Sequence, residues 1–162
     1  MIQTSISWED AWDGYQLLGS TKIVAPVLVL KDGSTIQDNI FLYFHTLVDG
    51  IRDNPPNHYS DMIRGIHIDM GNNPDVTTLS MSGAQRCSIE DVSINGQAFH
   101  AGIKDLPGSG GFSGNIEING GQIGIWQTEF RPNPSITNLV LRNQSMTGVA
   151  REVTGTIGAF RF

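Results

Sequence analysis

The chain has 162 residues, a length that suits one domain with a sizeable core. With 19 glycines and only 16% charged residues, its composition is typical of turn-rich β structure and disfavours long surface helices. The net charge of −6 disfavours nucleic acid as a partner. No apolar run reaches the roughly 18 residues of a membrane-spanning helix, and no secretory signal pattern is visible near Met1.

The segment 1–61 predicts irregular coils with two strands and a long loop. Residues 22–31 form a dense run of aliphatic and β-branched side chains, which predicts a strand buried on both faces or nearly so. A second strand is expected at 39–46. Residues 49–61 contain two consecutive prolines, which cannot lie inside a strand ladder. We therefore expect this segment to leave the body of the fold.

From Met62 onward a short motif returns at a nearly constant interval. Each copy reads small-or-amide, apolar, variable, apolar. The copies occupy 65–68, 91–94, 115–118 and 138–141, and their first apolar residues are Ile66, Val92, Ile116 and Leu139. A second, weaker apolar series comprises Leu79 with Met81, Ile103, Ile123 with Ile125, and Val149. A repeat of this length with strand alternation predicts coils stacked in one direction, a parallel β-solenoid.

The repeat also predicts the number of coils and the limits of the domain. We expect strands near 63–69, 77–82, 87–94, 100–104, 113–118, 122–127, 136–142, 146–151 and 155–161. With one coil for each interval of the repeat, the chain supplies six or seven coils in one domain over 1–162, regular over 62–162. Because 149–162 still reads as strand, we expect a fragment of a longer protein. A second β-helix domain or another chain would then cover the open ends.

Two polar series accompany the apolar ones. Asn95, Asn119 and Asn143 recur at equal intervals, and Asp91, Asn115 and Asn138 recur at the same interval to within one position. Side chains that stack one rung apart, about 4.8 Å, can hydrogen-bond along the axis of the stack. Asparagine also tolerates the left-handed backbone that a tight corner requires. The spacing therefore predicts structural amide ladders.

Motifs within 63–145 resemble a known family. The most specific are Ala84-Gln85, Gly108-Ser109-Gly110-Gly111-Phe112 and Asn119-Gly120-Gly121-Gln122-Ile123-Gly124. They resemble the first β-helix of pectate-lyase-superfamily proteins, and among these the tandem-β-helix β-1,3-glucanases of the laminarinase type, glycoside hydrolase family fifty-five. The resemblance implies a right-handed parallel β-helix, a polysaccharide partner and an extracellular or periplasmic full-length protein.

The resemblance also implies an inverting glycoside hydrolase, in which a carboxylic acid and an activated water act on opposite sides of the bond. By motif position, Gln85 and Ser109 match residues that hold the water. No residue matches the family's acid glutamate, so we expect the acid to lie outside this chain and the isolated chain to be inactive. The residues expected to bind substrate are His100, Asp105, Trp126 and Glu129.

Other interpretations remain open. The chain is alternatively a non-catalytic glycan-binding or structural β-helix, as in a spike or adhesin, or a polysaccharide lyase on the same scaffold. Gln85 alternatively packs on a neighbouring coil, Ser109 lies in an ordinary turn, and Trp126 covers a loop. The histidines do not share a metal-ligand spacing, so we expect no metal and no cofactor.

Overall fold

The computed structural model describes residues 6–8, 14–20, 24–44, 47–48, 51–52, 59–128 and 134–152. Within these residues the fold is all-β, a parallel β-solenoid of about four turns. The strands are β1 (Ile6–Trp8), β2 (Gln16–Leu18), β3 (Val27–Val29), β4 (Ile40–Phe44), β5 (Leu47–Val48), β6 (Ile51–Arg52), β7 (Met62–Asp69), β8 (Asn72–Asn73), β9 (Thr77–Met81), β10 (Ser88–Asn95), β11 (Ala98–Phe99), β12 (Ala101–Lys104), β13 (Phe112–Asn119), β14 (Ile123–Gln127), β15 (Ser135–Arg142) and β16 (Thr147–Arg151). No helix in this described part has the length and hydropathy needed to cross a bilayer.

Two parallel sheets form the faces of the solenoid. Sheet A has the order β1-β4-β9-β12-β14-β16, and sheet B has the order β15-β13-β10-β7-β2, with β3 also paired to β7. From β7 onward each coil gives one long strand to sheet B and one strand to sheet A. The small sheet of β8 and β11 lies at the corner between the two faces of the first two coils. The predicted fold class is therefore confirmed.

The strand register confirms both apolar series. Ile66 pairs with Val92, Val92 with Ile116, and Ile116 with Leu139 across sheet B. Across sheet A the paired residues are Leu79, Ile103, Ile125 and Val149. Side chains of both series meet between the sheets, where they belong to one apolar core. The repeat therefore marks positions at which equivalent side chains of successive coils pack on one another.

The first position of the repeat is a left-handed residue inside each long strand of sheet B, where the backbone turns a corner within the strand. Gly65, Asp91, Asn115 and Asn138 have φ values of 67°, 53°, 54° and 52°, which lie in the left-handed region. The Nδ2 group of Asn115 donates to Oδ1 of Asp91 at 2.9 Å, and Asn138 donates to Asn115 at 2.7 Å. The corner therefore selects glycine or a residue that tolerates this backbone and can bond along the axis.

The second polar series also forms a ladder. Asn119 donates to Asn95 at 3.4 Å, and Asn143 donates to Asn119 at 2.8 Å. Asp69 continues the column, because the register pairs it with Asn95. Both predicted ladders are confirmed, and both lie on sheet B or at its ends.

Sheet A contains a column of glycines whose role the repeat alone did not reveal. Gly102, Gly124 and Gly148 occupy equivalent positions in successive strands. A Cβ atom on Gly124 would lie 2.5 Å from the carbonyl oxygen of Gly148 and 2.8 Å from Cδ2 of Leu141. A Cβ on Gly102 would similarly meet Ile118 at 2.8 Å. These glycines let side chains of sheet B pack directly against the backbone of sheet A.

Two expectations about the N-terminal part are wrong. The described solenoid has about four turns instead of six or seven. The strands before β7 do not continue its regular pattern, and the strand expected at 155–161 lies outside the described residues. Strands β2 and β3 share the single rung next to β7, and β5 and β6 form a separate antiparallel hairpin. The run at 22–31 is also not buried on both faces. Only Val27–Val29 forms a strand, with Val27 58% and Val29 65% exposed, because β3 pairs with a strand on one side only among the described residues.

The glycine column gives a graded stability prediction. Gly124→Ala forces a methyl group against the Gly148 backbone and should lower the free energy of unfolding by about 1–3 kcal/mol. Gly148→Ala should cost less, because the nearest atom to its Cβ is a Leu141 methyl at 3.2 Å. Chemical denaturation of the two variants measures the difference. Equal stabilities would contradict the close contacts at Gly124.

The corner column gives a second prediction. Asn115→Ala removes two ladder hydrogen bonds and places alanine in a left-handed backbone, at a combined cost of about 1–3 kcal/mol. Asn115→Gly loses the same hydrogen bonds, but glycine adopts the left-handed backbone without strain, as Gly65 does in the first coil. The melting temperature should therefore be highest for the wild-type protein, lower for Asn115→Gly and lowest for Asn115→Ala. An alanine variant as stable as the glycine variant would argue against the corner.

Candidate functional site

An open pocket of about 390 Å³ lies on the outer surface of sheet A. Its volume falls in the range of small-ligand sites. Its lining combines two carboxylates, one ammonium group, an imidazole and an indole. The lining residues are Asp38, Asn39, Ile40, Asp75, Thr77, His100, Lys104 and Trp126.

The pocket follows the axis of the solenoid. Ile40 of β4 pairs with Thr77 of β9, and Lys104 of β12 pairs with Trp126 of β14. His100, just before β12, donates its backbone N–H to the carbonyl of Val76. The pocket thus crosses four consecutive rungs, a length of about 14 Å at 4.8 Å per rung. Such a length suits an extended ligand that lies along the stack.

Trp126 closes one end of the pocket, and three contacts fix its indole ring. Its Nε1 group donates to Glu152 at 2.9 Å. The Lys104 ammonium lies 5.2 Å from the ring centroid, and the His100 ring meets the indole edge-to-face at a centroid distance of 4.8 Å. The next residue in the column is Ala150. A fixed and partly exposed indole is a suitable surface for stacking.

Charge is distributed unevenly along the pocket. Asp38 and Asp75 come from the N-terminal rungs, whereas Lys104 and Trp126 come from the later ones. Neither the Lys104 ammonium nor the Asp75 carboxylate makes an ion pair with any described residue. Both groups are therefore available for hydrogen bonds to a polar ligand.

Gln85 and Ser109 lie in two adjacent turns that precede β10 and β13, and neither lines the pocket. The turns stack on each other, since the Gly108 N–H donates to the Gly83 carbonyl at 3.1 Å. Gln85 is exposed, and Ser109 is half-buried with a left-handed φ of 49°. The structure thus brings these two residues into neighbouring turns, at the corner that follows the Lys104 end of β12.

The predicted substrate-binding residues divide into three groups. His100 and Trp126 lie together in the pocket. Asp105 is only 1% exposed, and its carboxylate accepts hydrogen bonds from the Thr128 N–H at 2.6 Å and the Thr128 hydroxyl at 2.8 Å. Glu129 lies outside the described residues.

The sequence alone did not reveal the pocket residues of the N-terminal rungs. Asp38 and Asn39 belong to a three-residue 3-10 turn before β4, a region without the repeat. The Lys104–Trp126 pair could have been predicted from the sequence, because the two residues follow Ile103 and Ile125 of the predicted apolar series. Extending that register by one residue places them side by side.

Comparisons with family models, characterised proteins and solved structures find no match for this chain. The described residues also contain no cluster of three or more His, Cys, Asp or Glu side chains that could hold a metal ion. Of the histidines, His67 lies on sheet B and hydrogen-bonds to Ser93 of the next coil. A functional proposal must therefore start from the pocket of this β-solenoid.

Asp105 and Asp75 form a matched pair for distinguishing structure from ligand contact. Asp105→Ala leaves the Thr128 N–H and hydroxyl without their acceptor and should lower the free energy of unfolding by about 1.5–3 kcal/mol. Asp75→Ala removes an exposed carboxylate and should change stability by less than about 0.5 kcal/mol. Urea unfolding of both variants tests this. An Asp105 variant as stable as wild type would refute the structural role.

Proposed function

We propose that this β-solenoid binds an extended glycan along the pocket of sheet A. The observation that carries the proposal is the fixed indole of Trp126 at one end of an axial, polar pocket. Sugars present apolar C–H faces and a rim of hydroxyl groups. An aromatic ring complements the first, and the carboxylates of Asp38 and Asp75 accept hydrogen bonds from the second.

The rigid scaffold supports the same proposal. The pocket residues on β4, β9, β12 and β14 lie in a sheet whose rung spacing repeats. A polymer that lies along the axis meets one strand after another, so its successive groups face successive side chains. Preorganised residues on strands also limit the entropy lost on binding. We further propose that the coil winds to the right, since crossovers between parallel strands of one sheet are right-handed in about 98% of cases.

The binding proposal is tested with Trp126→Ala. Loss of the stacking surface should weaken binding of laminarin oligosaccharides at least tenfold in isothermal titration calorimetry, about 1.4 kcal/mol. Trp126→Phe should retain part of the affinity. Phe112→Ala is the matched control, because Phe112 is an exposed aromatic residue on sheet B, away from the pocket. Equal losses for Trp126→Ala and Phe112→Ala would refute a site at Trp126.

Hydrolysis of a β-1,3-glucan-like polysaccharide is a second candidate function. The observation that favours it is that Gln85 and Ser109, the two residues expected to hold the water, lie in stacked turns beside the Lys104 end of β12. In this proposal Gln85 and Ser109 position the attacking water, and the general acid comes from residues outside this chain. The two turns that hold them are adjacent, which supports a joint role.

Release of reducing ends from laminarin by the full-length gene product tests the second candidate. Gln85→Ala should lower turnover and leave affinity unchanged, because a water-holding residue acts mainly in the transition state. If the full-length protein binds laminarin but does not hydrolyse it, hydrolysis is ruled out and the glycan-binding proposal stands. Unsaturated products from an acidic polysaccharide would instead indicate a lyase.

A further inference from the structure

The side-chain amide of Gln122 is oriented by the backbone of the neighbouring coil. Its Nε2 group lies 3.1 Å from the carbonyl oxygen of Pro74, and its Oε1 atom lies 3.4 Å from Nδ1 of His100. A carbonyl oxygen can only accept a hydrogen bond, so the amide NH₂ must face Pro74. The amide oxygen of Gln122 is thereby directed at the imidazole.

This orientation determines the tautomer of His100. Because the Gln122 oxygen can only accept, the neighbouring Nδ1 atom must carry the proton. A neutral imidazole has one N–H group, so its Nε2 atom then has a free lone pair. The edge-to-face contact with Trp126, at an interplanar angle of 89°, fixes the plane of the same ring. Two independent contacts therefore hold the imidazole in one state.

We propose that Gln122 is a positioning residue, which keeps His100 in the Nδ1–H tautomer so that Nε2 accepts a hydrogen bond from a ligand hydroxyl group. The ligand part of this inference rests on the proposed glycan-binding function. His100 lies between the two ends of the pocket and adds an acceptor to those of Asp38 and Asp75. An acceptor-rich pocket favours a polyhydroxylated ligand, whose hydroxyl groups supply the donors.

The tautomer is tested first, without any ligand. Long-range ¹H–¹⁵N correlation spectra of imidazole-labelled protein, recorded at alkaline pH, distinguish a protonated from an unprotonated ring nitrogen. The wild-type protein should show Nδ1 protonated and Nε2 unprotonated at His100. Gln122→Ala should shift His100 towards the Nε2–H form. A wild-type ring with its proton on Nε2 would overturn the inference, even if the Gln122 variant does not fold.

Binding of laminarin oligosaccharides then tests the role of the lone pair. Gln122→Ala should weaken affinity about fivefold, the effect of one lost hydrogen bond, although Gln122 itself does not line the pocket. Gln122→Glu keeps an acceptor oxygen for Nδ1–H but sets a second oxygen against the Pro74 carbonyl, so it should restore only part of the affinity. Gln97→Ala is the matched control, because Gln97 is an exposed glutamine at the same corner one coil earlier.

The outcomes separate this inference from the function on which it rests. Unchanged affinity in Gln122→Ala, with a shifted tautomer, would overturn the acceptor role while glycan binding stands. A wild-type protein with the Nδ1–H tautomer that binds no glycan would contradict the proposed function and the ligand role, whereas the positioning of His100 by Gln122 would be supported.

Discussion

In-register stacking of successive coils is the constraint on which the rest of the structure depends. Every strand of the two sheets from β7 onward pairs with the strand one coil away in parallel, so each residue lies about 4.8 Å from its equivalent. Apolar residues such as Ile116 then share one core, and amides such as Asn119 bond along the axis. A slip of one residue would expose the core residues and bury the polar ones, so the register is strongly specified.

The same stacking explains how one scaffold carries a candidate site. On sheet B the columns are nearly uniform. The corner positions hold glycine, asparagine or aspartate, because each coil has a left-handed backbone there. The outer column of sheet A is different. It runs through Tyr43, Ser80, Lys104, Trp126 and Ala150, which have no side-chain type in common. Variation in a column that the fold leaves free is where a binding pocket can form without disturbing the stack.

The sequence predicts the uniform columns of the solenoid better than the variable ones. Periodic positions such as Ile66 and Asn95 could be matched to their partners, because every coil needs an apolar core residue or a ladder amide at the same spacing. The N-terminal strands did not, since β2 and β3 share one rung and no repeat marks them. Asp105 and Gln122 were hard to interpret for another reason. Their roles depend on hydrogen bonds to Thr128 and to His100 and Pro74 in neighbouring coils, and only the three-dimensional register supplies those.

The most direct test of the stacking is a set of contacts between methyl groups. In a protein with labelled isoleucine, leucine and valine methyl groups, nuclear Overhauser effects should connect Ile66 with Val92, Val92 with Ile116, and Ile116 with Leu139. These pairs are one rung apart in sheet B. Strong contacts confined to such neighbours would match a stack in parallel register. Contacts that join Ile66 directly to Leu139, or that follow an antiparallel order, would contradict it.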